Sequence, residues 1–205
     1  VDCGSGEENE VTGIAVIGAG YWGRNLVRNF HQLEVLKAIC EPQEEARTAI
    51  AEQYPDAVIA EAPDEVLSRA DINAVAIATP AETHGKLVRQ ALEAGKHVFV
   101  EKPLCLDVEE ARALSDLADE KGLTLMVGHM LLYHPAFVAL KDMLASGRLG
   151  ELRYIYSTRL SLGKIRREEN ALWSFAPHDM SMILALTGRM PVSVTANGEA
   201  YLTQG

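Results

Sequence analysis

Positive charge is scarce in this chain of 205 residues: 19 Lys and Arg stand against 29 Asp and Glu, for a formal net charge of -10. With no Lys/Arg block and no basic stripe, that balance argues against a nucleic-acid surface. Long apolar runs are missing too. None approaches the roughly 20 residues of a membrane span, so no membrane partner is expected. Residues Val1 to Glu10 lack the basic and apolar regions of a signal peptide. They are polar and acidic, and read as a disordered lead-in. Cysteine is the third shortage. Cys3, Cys40 and Cys105 are odd in number, far apart and without metal-ligand spacing. They read as buried or idle thiols in a reducing cytosol, with no metal site. What is present, 48% hydrophobic and 23% charged residues, is the composition of a soluble globular protein. The length allows one large domain or one and a half ordinary ones.

The most informative stretch follows a short apolar run, Ile14-Ala15-Val16-Ile17. It reads Gly18-Ala19-Gly20-Tyr21-Trp22-Gly23, and Glu41 lies twenty-one positions past Gly20. That spacing fits a βαβ unit that binds a dinucleotide. Gly18 permits the tight turn, Gly20 lets the backbone approach a pyrophosphate, and Gly23 lets helix and strand pack closely. The phosphates would lie over this turn, with Tyr21 and Trp22, against unpaired N–H groups at the helix start.

From Thr12 onward, β-rich runs alternate with helical patterns, which predicts a parallel sheet flanked by helices. Strands are expected at Thr12–Ile17, Val35–Cys40, Ala57–Ile59, Ala74–Ala78, His97–Val100 and Thr124–Val127. Trp22, Leu26, Phe30 and Leu33 form one helical stripe, and Ala46, Ala49, Ile50 and Gln53 a poorer one. Pro42 suits the first turn of the second helix, and Gly95 and Gly122 suit helix ends. Asp107 with Glu110 resembles a capping box.

The rhythm changes after Gly128-His129, and a domain boundary is expected near Leu131. A lead-in over 1–10 and a dinucleotide-binding domain over 11–130 then precede a substrate and dimerisation domain over 131–205. That second domain should hold a helix at Pro135 to Ser146 and another at Pro177–Leu186. Strand-like runs near Leu152–Leu162 and Val192–Leu202 would build an open, mainly antiparallel sheet. Two strands and two helices make a thin unit. It reads as truncated, or as covered by another subunit.

Ligands of an open parallel sheet bind beyond the carboxyl ends of its strands. Those ends carry Gly18-Ala19-Gly20, Glu41, Thr79-Pro80, Glu101-Lys102-Pro103 and Gly128-His129. Glu41 is placed to bind the adenosine ribose hydroxyls and to repel a 2′-phosphate, which favours NAD over NADP; the alternative is a solvated acid before Pro42. Thr79 and Pro80 face the cofactor or form an ordinary turn. His84 is a cofactor contact or a surface or capping histidine. Lys102, directly after a strand, can donate to a substrate oxygen, or it pairs only with Glu101. Farther on, Pro177 can open a helix, which would put His178 in the first turn. The helix dipole there favours the neutral imidazole, able to accept a proton. A structural histidine is the alternative.

Together these pieces resemble the Gfo/Idh/MocA family of NAD(P)-dependent oxidoreductases, from about Thr12 to the end of the chain. The carriers are Gly18 to Gly23, Ala78-Thr79-Pro80 with His84, Glu101-Lys102-Pro103 and Ala176-Pro177-His178-Asp179. The resemblance implies a doubly wound N-terminal Rossmann domain and a C-terminal α/β domain whose sheet often makes dimer contacts, hence a homodimer or homotetramer. It implies a Lys-Pro bond able to be cis, Lys102 as the catalytic lysine, and His178 as the histidine facing substrate. There are two departures: many members carry Asp four residues before that histidine, where this chain has Ser174, and members usually continue well past this chain's end with more strands of the second sheet. The segment from Glu169 to Asp179 looks most like the branch acting on nucleotide-linked sugars, typically at C3 of a UDP-N-acetylhexosamine uronate, on the way to surface polysaccharides. His129, Trp173 and Asp179 are then candidate substrate contacts. Arg166, with Arg167, could meet a uronate or diphosphate, or form a solvated charge run with Glu168 and Glu169.

The leading expectation is a cytoplasmic NAD-dependent dehydrogenase acting on a sugar hydroxyl. Its rivals are a non-catalytic NAD-binding sensor or scaffold, favoured by Ser174 and the short second domain, and a Rossmann-like domain that binds no dinucleotide.

Overall fold

The computed structural model describes residues 13–160 and 171–199. They fall into two compact units, one ending at Gly128 and the other beginning at His129.

The first unit is a six-stranded, all-parallel sheet in the order β3-β2-β1-β4-β5-β6. The strands are β1 (Ile14–Ile17), β2 (Leu36–Cys40), β3 (Val58–Ala60), β4 (Ala74–Ile77), β5 (His97–Val100) and β6 (Leu125–Val127). Helices α1 (Gly23–Gln32), α2 (Glu44–Gln53), α3 (Pro63–Leu67), α4 (Ala81–Glu93) and α5 (Val108–Glu120) connect them. A parallel sheet covered on both faces needs unbroken apolar strands rather than alternating ones, and β1, Ile-Ala-Val-Ile, is such a run. Successive residues of β1 feed opposite faces. Ala15 and Ile17 join a cluster with Val66, Leu67, Leu87, Val88 and Leu114 of α3, α4 and α5. Val16 joins Leu26, Val27 and Ile50 of α1 and α2 on the other face. The strand order reverses beside β1, and that crevice is where such folds take ligands.

Local sequence fixes the ends of these elements. Asp107 caps α5 by accepting from the Glu110 N–H at 2.8 Å, and α4 and α5 stop at Gly95 and Gly122, both with positive φ. Pro42 lies before α2, whose N-cap is Gln43. The helical stripe of α1 narrows to Leu26, Val27 and Phe30, since Trp22 and Leu33 are exposed. Helix α3 falls where the alternation of strands and helices calls for one, although no pattern in the sequence marks its range.

The sheet end opposite the crevice is closed by structural contacts. The buried Lys96 donates from Nζ to the Arg69 and Ile72 carbonyls, at 2.8 Å each. Gly13 packs so tightly that a Cβ there would lie 1.9 Å from the Asp71 carbonyl oxygen.

The second unit holds a 3-10 turn (Met130–Tyr133) and helices α6 (Pro135–Ala145) and α7 (Ala171–Thr187). His134 caps α6, its Nδ1 accepting from the Ala136 N–H at 3.2 Å. One expectation is corrected here, and a second is not met among the described residues. Helix α7 begins at Ala171, so Pro177 lies inside it and His178 is not in its first turn. The apolar stretch from Ala171 to Ala176 sustains helix upstream of the proline, and the dipole argument for His178 lapses. Second, no strand forms among the described residues of this unit: 152–160 and 192–199 have no regular structure. A strand exists only where a neighbour takes its N–H and C=O groups, and no described segment does so. The predicted antiparallel sheet is therefore not seen; the remainders of both runs lie outside the described residues.

Among the described residues no helix is long and apolar enough to cross a membrane, and no group of three or more His, Cys, Asp or Glu could hold a metal ion. Cys40 and Cys105 are buried and carry no disulfide. Burial pushes the Cys40 thiol up to about 12, with Glu65 and Glu41 adding to the shift; it is an unreactive core group.

Candidate cofactor and catalytic site

Strand register builds the rim of the crevice. Ile17 pairs with Cys40 and Ile77, Ile77 with Val100, and Val100 with Val127. The next residue on each strand therefore emerges at one level: Gly18, Glu41, Ala78, Glu101 and Gly128. Four of these five residues are polar or glycine, and on the fifth segment Thr79 follows Ala78.

The glycine turn meets the demands of a dinucleotide. Gly18 has φ +90°, a conformation side chains resist, and a Cβ there would press on Thr79 and the Ala78 carbonyl. A Cβ on Gly23 would lie 1.9 Å from the Gly18 oxygen, so the helix packs directly on its own entry turn. At Gly20 nothing lies within 4 Å of a built Cβ. This is the open position at which a pyrophosphate could meet backbone. Tyr21 is 95% exposed beside it.

Glu41 is 6% exposed. Its carboxylate accepts from the Ala19 N–H at 2.9 Å and the Gln43 N–H at 3.1 Å. It thus braces the glycine turn, a role spacing alone does not reveal, and keeps lone pairs for ribose hydroxyls. Arg47, which the sequence reading missed, holds this corner from behind. Its guanidinium donates to the Glu41 and Pro42 carbonyls and pairs with Glu61 at 3.0 Å.

His84 is 1% exposed, not a surface histidine. Its Nδ1 lies 2.7 Å from the Pro103 oxygen and its Nε2 2.9 Å from the Thr79 oxygen. The ring therefore ties the turn after β4 to the turn after β5, and neither nitrogen is presented to a ligand. Thr79 also accepts from the Thr83 hydroxyl at 2.7 Å, and Pro80 is exposed as the N-cap of α4.

The Glu101-Lys102-Pro103 turn carries a cis Lys102–Pro103 bond. Lys102 is half-buried and Pro103 buried. Glu101 accepts from the Trp22 indole N–H at 2.5 Å. Burial pushes its carboxyl up, while the Trp22 bond, the Lys102 amide and the charges of Lys102 and His84 pull it back.

In the second unit, the 3-10 turn follows His129, which is half-buried. Trp173, Ser174, His178 and Asp179 lie along α7, with Trp173 the most exposed of the four. The Asp179 carboxylate is gripped by Arg159 Nε at 2.6 Å, by the Arg159 terminal nitrogen at 3.2 Å and by the Ser157 hydroxyl at 2.9 Å. These contacts pin the irregular 152–160 segment to α7. The Arg159 guanidinium, followed by the Ser157 hydroxyl, holds the Asp179 carboxyl below its ordinary range against the opposing effect of burial. A lowered carboxyl stabilises the fold above its unfolded titration range, and that contribution fades as pH falls through the lowered value. Arg159→Ala is expected to cost about 0.5–1 kcal/mol at neutral pH, as solvent partly screens the pair. Melting curves should show this penalty vanishing in acid. Arg166 and Arg167 lie outside the described residues.

Comparison with known proteins follows the same lines. The family model GFO_IDH_MocA, an oxidoreductase family with an NAD-binding Rossmann fold, matches residues 12–129. The chain is 33% identical over 196 residues to UDP-N-acetylglucosamine 3-dehydrogenase of Acidithiobacillus ferrooxidans, covering 92% of this chain and 58% of that protein. It is 33% identical over 180 residues to inositol 2-dehydrogenase of Rhizobium meliloti, covering 81% and 54%. Among solved structures, a 3-ketoreductase from Actinomadura kijaniata in complex with NADP and TDP-benzene superposes with a TM-score of 0.61 at 31% identity, over 66% of this chain and 42% of that one. The chain thus spans little more than half the length of the curated relatives it matches. The glycine turn, the parallel sheet and a family match over most of the first unit agree: this chain belongs to the Gfo/Idh/MocA oxidoreductases.

Proposed function

We propose that the protein is a dehydrogenase that moves hydride between a sugar ring hydroxyl and NAD, with a UDP-linked N-acetylhexosamine or its uronate as the substrate class. The observation that carries this reading is the rim itself. Register sets the open Gly20 turn, the braced Glu41 carboxylate and the Lys102 turn at one level of one sheet edge.

The first unit binds the cofactor and the second meets the substrate and other subunits. Gly18, Gly20 and Gly23 form the pyrophosphate cradle, with Tyr21, Trp22, Thr79 and Pro80 around it, and Glu41 takes the adenosine ribose. Bound NAD supplies the hydride acceptor. Lys102 donates to the reacting oxygen and polarises it, while His178 takes the hydroxyl proton. His129, Trp173 and Arg166 are the candidate sugar contacts. His84 serves by holding the lysine turn, and Asp179 by holding α7. The proposed setting is a cytoplasmic homodimer or homotetramer that supplies surface-polysaccharide synthesis.

The preference for NAD rests on Glu41, whose buried negative charge would face a 2′-phosphate. Glu41→Ala removes both the ribose acceptor and the brace on Ala19. It is expected to weaken NAD about tenfold or more, equivalent to about 1.4 kcal/mol, and to narrow the gap to NADP. Calorimetric titration with both cofactors checks this.

The direct test is the appearance of reduced-cofactor absorbance with NAD and a panel of UDP-sugars, with inositols alongside. Turnover of a UDP-sugar supports the reading, and turnover of inositol alone moves the substrate class. Binding of NAD with no turnover of any of them would instead support the non-catalytic sensor or scaffold that Ser174 favours.

A further inference from the structure

Two side chains reach the lysine turn from elsewhere in the first unit, and they bracket Lys102. On one side, the Pro103 carbonyl lies 2.7 Å from His84 Nδ1, on α4. On the other, the Glu101 carboxylate accepts from the Trp22 indole at 2.5 Å, across 79 residues of chain. Trp22 is the N-cap residue of α1 and part of the glycine turn itself. The Glu101 backbone is fixed as well, its N–H donating to the Ile77 carbonyl at 2.9 Å. Its carboxylate is seated against Gly128, where a Cβ would lie 3.1 Å from each oxygen. The bond therefore joins two well-placed groups, one on the turn that would cradle pyrophosphate and one directly before the lysine.

We propose that Trp22 is a positioning residue, whose indole N–H holds Glu101 and so couples the glycine turn to the placement of Lys102. The inference rests on the functional reading above only in assigning Lys102 to the reaction; the coupling of Trp22 to Glu101 can be tested without cofactor or substrate. Protonation of Glu101 would weaken a bond that is strong because its acceptor is charged. Besides Trp22, the groups acting on Glu101 are Lys102 on its own turn and His84 from α4. Gly128, the residue after strand β6, does not titrate. The indole favours the ionised carboxylate, so removing it should let Glu101 take up a proton at higher pH.

Three measurements test the proposal. The fluorescence difference between the wild type and Trp22→Phe isolates Trp22, and should titrate with pH as Glu101 ionises. Glu101→Gln, similar in size and still able to accept from the indole, should flatten that titration. In turnover, Trp22→Phe and Glu101→Gln should each lower kcat about tenfold, and the double variant should be no worse than either alone. The acid limb of kcat should move to higher pH in Trp22→Phe and vanish in Glu101→Gln. A pH-independent Trp22 signal, additive losses or an unmoved acid limb would overturn the inference. Absence of turnover in the wild type would instead count against the dehydrogenase reading, with the fluorescence titration still deciding the coupling.

Discussion

Gly20→Ala is expected to leave the melting temperature nearly unchanged while weakening NAD binding about a hundredfold or more, some 3 kcal/mol. The two halves of that result have separate causes. A methyl group at this position meets nothing within 4 Å, and Gly20 is not among the residues with positive φ, so alanine fits the fold. Losing glycine's backbone freedom in the unfolded chain could even add about 0.4–1 kcal/mol. The empty space beside Gly20 is the space a pyrophosphate needs to approach the backbone, and the methyl group would fill it. Gly23→Ala provides the contrast. Its Cβ would stand 1.9 Å from the Gly18 oxygen, against backbone that cannot swing aside. A loss of roughly 3–5 kcal/mol is expected, in the range of severe core defects. Thermal melting and calorimetry on the two variants separate them. If Gly20→Ala bound NAD as the wild type does, the pyrophosphate would not lie over this turn.

Lys102→Ala should produce the largest catalytic effect, a fall of about a thousandfold in kcat, within the range for removing a positioned proton donor. NAD affinity should change by less than about threefold, because the glycine turn and Glu41 are untouched. Lys102 is held by what flanks it. Pro103 is buried with its carbonyl against His84, and Glu101 is bonded to Trp22. Truncation at Cβ removes the amine while leaving these ties in place. Steady-state kinetics paired with calorimetry reads both numbers. A variant with undiminished turnover would remove the lysine from the reaction.

The sheet was legible because its physics is local. Parallel strands covered on both faces are short, continuous apolar runs, and such runs stand out at Ile14–Ile17 or Val98–Val100 without knowledge of partners; the edge strands β3 and β6 are more exposed. The rim followed from them, because strand ends can be counted along the chain. The bounds of helix α3 escaped because five residues are too few to show a stripe. The start of α7 was misplaced because a proline that can open a helix also tolerates a place inside one when its neighbours are apolar. In the second unit two strand-like runs suggested strands, but pairing depends on a neighbour that no local pattern reveals. The site divides in the same way. Residue types and spacing pointed to Gly18, Gly20, Gly23, Glu41 and Lys102. The contacts of Trp22 with Glu101, His84 with the Pro103 carbonyl and Arg159 with Asp179 join residues far apart in sequence. No periodicity records them.

Lys96 and Gly13 have a practical consequence. They clamp the sheet at the end away from the crevice, by two carbonyl bonds and one very close approach. Part of the fold's stability is thus set at the pole away from the rim proposed for cofactor and catalysis. An engineer could search that far pole for sturdier variants while leaving the rim residues untouched.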